Sequence, residues 1–140
     1  MKVFRTKTNK LAGTNFREVH RNAIAIYEQI VKKTKRRVYI RSVYFKRSKV
    51  FLGLFLQHLF DNKNWRDRMR RMKYFPCALE LIRDSHIEPI SKENPNKRTE
   101  ILHRFAGVTR GNDLFFVQIK ENKNNGQKYL ISIFPVDQWK

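Results

Sequence analysis

The chain has 140 residues, 41% of them apolar, with 31 Lys and Arg set against 12 Asp and Glu, a formal net charge of +19 and one cysteine. This is enough chain for one domain with one modest core, and a lone Cys77 excludes an internal disulfide framework or a cysteine-built zinc site. Like charge at this density repels itself in the compact state, so the excess points to a polyanionic partner, nucleic acid first, with an anionic membrane surface as the weaker alternative.

Residues 1–13 are basic and aperiodic, and are expected to form a loose arm with no apolar leader. Thr14 or Asn15 can cap a helix, because Phe16, Val19, Ala23, Ile26 and Ile30 then recur at three- and four-residue spacing; this helix should end near Thr34. Residues 35–47 mix Lys35, Arg36, Arg37, Arg41, Lys46 and Arg47 with Val38, Tyr39, Ile40 and Tyr44, which reads as an irregular, partly extended surface connection. Here Tyr39 and Tyr44 either stack on bases or pack against the next helix. That helix is predicted from a Ser48 cap to about Asp61; it is apolar nearly all round, so it belongs in the centre of the fold, with His58 a core histidine. The apolar run Val50–Phe60, broken by Gly53, Gln57 and His58, is too short to cross a bilayer, so a cytoplasmic location without a membrane partner is expected.

Asn64 opens a third helix with Trp65, Met69 and Met72 as its buried side and Arg66, Arg68, Arg70, Arg71 and Lys73 as a basic face suited to phosphate. Pro76 should break it near Phe75, with a new turn running to Arg83. Residues 84–98 read as a loop. Three runs then switch to strand chemistry, 100–108, 114–121 and 128–134, separated by turn sequences at 110–113 and 122–127. The whole is one α+β domain over 1–140: a basic arm at 1–13, a helical part at 14–84 and a C-terminal antiparallel meander at 99–136.

Register decides which side chains share a face. A two-residue turn at Gly111-Asn112 would pair Arg110 with Asp113, His103 with Lys120, Phe105 with Gln118 and Gly107 with Phe116. It sends Leu102, Ala106 and Val108 to the core with Phe115, Val117 and Ile119, but it also sends Arg104 there. Ile131 and Ile133 belong with the core, which requires a longer loop or a bulge in the second hairpin. The exposed face would then carry His103, Gln118, Lys120 and Ser132, flanked by Phe105 and Phe116. An imidazole beside an ammonium on an open, aromatic face suits RNA: rings stack on bases, lysine meets phosphate and histidine moves protons near neutral pH.

The segments His103–Thr109, Leu114–Asn122 and Lys128–Pro135 resemble nucleases of the barnase–EndoU–colicin–RelE-like superfamily, in its compact phage and mobile-element versions. The resemblance covers residues 85–136. It implies a BECR-like fold and metal-independent RNA cleavage by attack of a ribose 2′-hydroxyl on phosphate. By position it implies His103 as general acid or base, Lys120 stabilising the phosphorane, Ser132 or Thr109 hydrogen-bonding phosphate or ribose, and Arg104 or Arg110 adding positive charge. No metal or other cofactor is expected, and an acidic antitoxin is a conceivable protein partner. A second imidazole is not apparent; His86, or an acid such as Glu100 or Glu121, would have to reach His103. A non-catalytic nucleic-acid-binding module on the same scaffold is the rival reading. The substrate-contacting set is Arg66, Arg70, Arg71, Lys73, Arg110, Gln118, Phe105 and Phe116.

Overall fold

In a computed structural model, residues 2–61 and 63–136 are described, Phe60 by its backbone alone. Four helices and seven strands follow one another as β1 (Phe4–Arg5), α1 (Phe16–Lys33), β2 (Tyr39–Ser42), β3 (Ser48–Phe51), α2 (Gly53–Asp61), α3 (Trp65–Lys73), α4 (Phe75–Asp84), β4 (Ile90–Asn94), β5 (Lys97–Val108), β6 (Leu114–Asn122) and β7 (Lys128–Pro135). The class is α+β, but the expected segregation of helices from strands does not hold. One strand precedes the helices and a hairpin sits between α1 and α2.

The helices obey local rules. The Asn15 side chain accepts the Glu18 N–H at 2.8 Å and starts α1; Thr34 ends it. Asn64 caps α3 by accepting the N–H groups of Arg66 and Asp67. Pro76 separates α3 from α4 at the first turn of the latter, where a missing N–H costs nothing. The predicted start of α2 at Ser48 is corrected: Ser48–Phe51 is strand, because Val50 and Phe51 pair with Lys128 and Tyr129 of β7, a contact invisible to local pattern. Trp65, expected on the buried side, is 50% exposed.

The sheet runs β1-β5-β6-β7-β3-β2, with β4 added to β5. The β1–β5 and β3–β7 pairs are parallel, the other pairs antiparallel. Among the described residues, 2–13 are therefore not a loose arm. Phe4 and Arg5 pair with Gly107 and Val108, and the buried Glu80 carboxylate accepts the backbone N–H of Lys7 (2.8 Å) and Thr8 (3.0 Å). Burial pushes the Glu80 carboxyl up, but hydrogen bonds from Thr8 and Lys7 outweigh it and hold it below its ordinary range. Met1 lies outside the described residues.

The helices pack on one face of the sheet. There Val19, Ala23, Leu59, Met72, Ala78 and Leu81 meet Val50, Phe105, Phe115, Val117, Ile119, Leu130 and Ile133, all buried. Phe55 stacks on Phe75 with centroids 5.8 Å apart. Cys77 is fully buried in this core, which pushes its thiol up to about 11. β7 is paired to β3 only at residues 128 and 129. Beyond them α2 and α3 cover its edge, a usual device against strand addition: Arg71 donates to the Ile133 carbonyl at 3.3 Å and to Ser132 Oγ at 3.0 Å. Among the described residues, no helix is long and apolar enough to cross a membrane.

Candidate nucleic-acid interface

The first hairpin of the meander sets the site. The loop between β5 and β6 holds three residues, not two: Thr109 N–H donates to the Asp113 carbonyl at 3.0 Å, Asn112 N–H donates to the Thr109 carbonyl at 2.9 Å, and Asn112 takes the left-handed conformation with φ 70°. This is the tight-turn-plus-left-handed-residue solution common in three-residue hairpin loops. Thr109 is buried and its hydroxyl accepts the Asp113 N–H at 3.1 Å, so it serves the turn rather than a substrate.

One extra loop residue shifts the pairing by one. Leu102 stands opposite Lys120, His103 opposite Ile119, Arg104 opposite Gln118, Phe105 opposite Val117 and Gly107 opposite Phe115. Every β5 side chain is therefore on the opposite face from the one predicted. His103 and Phe105 go to the helix-covered side and are 7% and 4% exposed; Leu102, Arg104 and Ala106 go to the other side. The expected His103–Lys120 pair does not exist: the two groups lie on opposite faces. Arg104 is relieved of the interior position and is exposed.

Gly107 reports the same register. A Cβ built there would lie 2.6 Å from Phe115 and 2.8 Å from Leu81, so only glycine lets α4 approach β5 so closely. In β7, Leu130 and Ile133 are the buried residues, opposite Ile119 and Val117; the register shifts between Gln118 and Ile119, so a bulge lies within the strand and Leu130, not the expected Ile131, joins Ile133 in the core.

The face turned away from the helices is basic and aromatic. Across β5, β6 and β7 it brings together Arg104, Gln118 and Ser132, with Phe116, Phe134, Lys120 and Tyr129 around them. The Arg104 guanidinium donates to Gln118 Oε1 at 3.2 Å and lies 5.1 Å from the Phe134 ring and 5.8 Å from Phe116. Lys120 lies 5.3 Å from the Tyr129 ring and 3.4 Å from Glu100. Burial pushes the Glu100 carboxyl up, but the Asn94 hydrogen bond and the charges of Lys120 and Lys97 hold it below the ordinary carboxylate range.

The face continues onto the β2–β3 hairpin, whose first strand falls in the expected connection and whose second falls in the expected start of a helix. Register places Tyr39 opposite Phe51 and Phe51 beside Tyr129. The three rings form a row, Tyr39 to Phe51 at 6.3 Å and Phe51 to Tyr129 at 5.7 Å. Arg37 lies over Phe51 at 3.9 Å, and Lys49 over Tyr39 at 4.7 Å. A cleft at this corner is lined by Lys33, Lys35, Arg36, Arg37 and Lys49, with Tyr39 and Phe51 as its apolar wall; no carboxylate lines it among the described residues. The interleaving of Tyr39 and Tyr44 with Arg41 and Lys46 is the sequence signal for this region. What was missing was knowledge that β3 joins β7 and so extends the same surface.

The remaining predicted residues fall elsewhere. Arg66 and Arg70 are exposed on α3, Lys73 is half-buried, and Arg71 is held by Asp67 at 2.9 Å and by the β7 edge. Arg110 is exposed at the hairpin tip. His58 is exposed on α2 rather than in the core, beside Arg71 and Ser132 in a small cavity. His86 is exposed ahead of β4. His103 is met instead by Glu121, whose Oε1 is 2.8 Å from Nε2, and by Ser91, whose Oγ is 2.6 Å from Nδ1. No group of three or more His, Cys, Asp or Glu stands where it could hold a metal ion among the described residues. Comparison of the chain with known protein families, with curated proteins and with solved structures gives no match.

Proposed function

We propose that this protein binds single-stranded nucleic acid, RNA foremost, along the open face of its sheet. One observation carries the reading: rings and cations alternate across five neighbouring strands, β5-β6-β7-β3-β2, on the face left free by the helices. Four strand spacings make this a path of about 19 Å. Rings on such a surface stack on unpaired bases whatever their identity, and guanidinium planes do the same. The lysines and arginines meet phosphates and release counterions. Gln118 and Ser132 add neutral hydrogen-bonding groups of the kind that engage a ribose hydroxyl.

A second reading, a metal-independent endoribonuclease of BECR-like type, keeps Arg104, Lys120, Gln118 and Ser132 on one face but loses its imidazole, because His103 faces the other way. Such an enzyme would have to rely on charge stabilisation alone at this face. Binding without cleavage is therefore the expected behaviour.

Fluorescence anisotropy with a labelled 12-nucleotide RNA and with a duplex of the same length tests this. The single strand should bind more tightly, affinity should fall as salt rises, and Phe51→Ala should weaken it. Equal affinity for the duplex, or no effect of Phe51→Ala, would refute the reading. Cyclic-phosphate ends appearing in RNA incubated with the protein and a chelator would favour the nuclease. Tight capture of an acidic protein with no RNA affinity would make the face a docking surface for an inhibitor.

A further inference from the structure

His103 is the one predicted catalytic group that the nucleic-acid face does not use, and its surroundings describe a different chemistry. It lies at the end of the helix-side face where the turn between β2 and β3 covers the sheet. Phe45 packs edge-on against the imidazole with centroids 5.0 Å apart, and Phe105 lies beyond at 5.9 Å from Phe45. The two strands that flank β5 supply the polar contacts. Ser91 of β4 stands directly opposite His103 in the ladder, and Glu121 of β6 is its diagonal neighbour, opposite Ile101. Diagonal cross-strand neighbours are within reach of long side chains.

The two hydrogen bonds select one tautomer of the neutral ring. A carboxylate only accepts, so Glu121 Oε1 at 2.8 Å takes the proton-bearing Nε2. The neutral ring then carries its lone pair on Nδ1, which points at Ser91 Oγ at 2.6 Å. The second Glu121 oxygen faces the Lys128 ammonium at 3.9 Å. His103 and Glu121 are largely sheltered, with side chains 10% and 23% exposed, whereas Ser91 is exposed on an edge strand. A serine at an exposed position, a sheltered imidazole and a carboxylate that sets its tautomer make up the nucleophile–base–orienter arrangement of acyl-transfer sites.

We propose that Ser91, His103 and Glu121 form a nucleophilic site that takes acyl groups from carboxylic esters. Ser91 Oγ bonds to the ester carbonyl carbon while its proton passes to His103 Nδ1. The carbon–oxygen bond to the alcohol breaks, and the departing oxygen takes that proton. Water then attacks the acyl-serine, gives a proton to Nδ1, and Ser91 recovers it as the acyl–Oγ bond breaks. Ser91 and His103 touch the reacting atoms; Glu121 is a positioning residue. The site is independent of the nucleic-acid face, since His103 and Lys120 lie on opposite sides of the sheet.

The test uses the whole chain and a tagged fluorophosphonate, in which the Ser91 Oγ–P bond forms, P–F breaks and the serine proton leaves with fluoride. Peptide mass spectrometry locates the adduct. One adduct, on Ser91, is expected in the folded protein and none in the heat-denatured chain. Ser91→Ala should abolish it while RNA affinity stays as in wild type. Glu121→Gln should slow labelling on the order of 10²-fold, and Glu121→Asp should recover part of that rate, which a merely structural carboxylate would not predict. Release of p-nitrophenol from p-nitrophenyl acetate should follow the same order. His103 is packed against Phe45, so its replacement can unfold the strand end; the test therefore rests on Ser91 and Glu121. No adduct, an adduct elsewhere, or equal rates for wild type and Glu121→Gln would overturn the proposal.

Discussion

The two faces of one sheet are built from nearly the same residue types and meet opposite surroundings. Phe115 and Phe116 are neighbours in β6. The first is fully buried under Tyr74 and Gly107, while the second is half-exposed beside Phe134 and Arg104. What separates them is only which face the helices cover. Aromatic content therefore does not distinguish core from open face in this chain; the cations that accompany the open face do.

Four substitutions would break or sharpen that contrast. Phe115→Ala removes a fully buried ring and should cost about 3–5 kcal/mol of stability, seen as a large fall in melting temperature; a fall no greater than that of Phe116→Ala would erase the distinction. Gly107→Ala should cost about 1–3 kcal/mol, because the new methyl meets Phe115 and Leu81; circular-dichroism melts that show no loss would indicate a different register. On the open face, Phe51→Ala should weaken single-stranded RNA binding by about 1–3 kcal/mol with a smaller change in stability than Phe115→Ala causes. Arg104→Gln should reduce the slope of log affinity against log salt by roughly 0.7, leaving the melting temperature within a degree or two. An unchanged slope would remove Arg104 from the path.

Glu80 offers a pH test of the segment that locks the sheet edge. Its carboxyl is held below the ordinary range in the folded protein. The stability it adds is therefore present above the ordinary carboxylate value and is lost as pH falls through the lowered one. Glu80→Gln should cost about 1 kcal/mol near neutrality, and the difference from wild type should shrink toward pH 3. A difference that grows with acid would reverse the assignment.

Much of the fold was legible in the sequence where short-range chemistry decides it. Asn15, Asn64 and Pro76 mark helix boundaries because caps and a missing N–H act within one turn. The meander was legible from its turn sequences. The faces of β5 were not, because Ile101, His103 and Phe105 compete with Leu102, Ala106 and Val108, and both parities are largely apolar. The discordant sign was Arg104, which the two-residue turn forced into the interior and the three-residue turn releases. The β2–β3 hairpin was hidden for another reason. Lys46 and Arg47 adopt positive φ, 56° and 65°, where glycine or asparagine would have announced the turn. Its membership of the sheet depends on Lys128 and Tyr129, far away in sequence.

The parallel pairing of β3 with β7 has a consequence for biosynthesis. On the ribosome, Val50 and Phe51 emerge well before Lys128 and Tyr129, and Phe4 must wait for Gly107. The cationic nascent chain therefore leaves these strand edges unsatisfied until residues 107–108 and 128–129 have been made. During that interval the unpaired edges are open to aggregation.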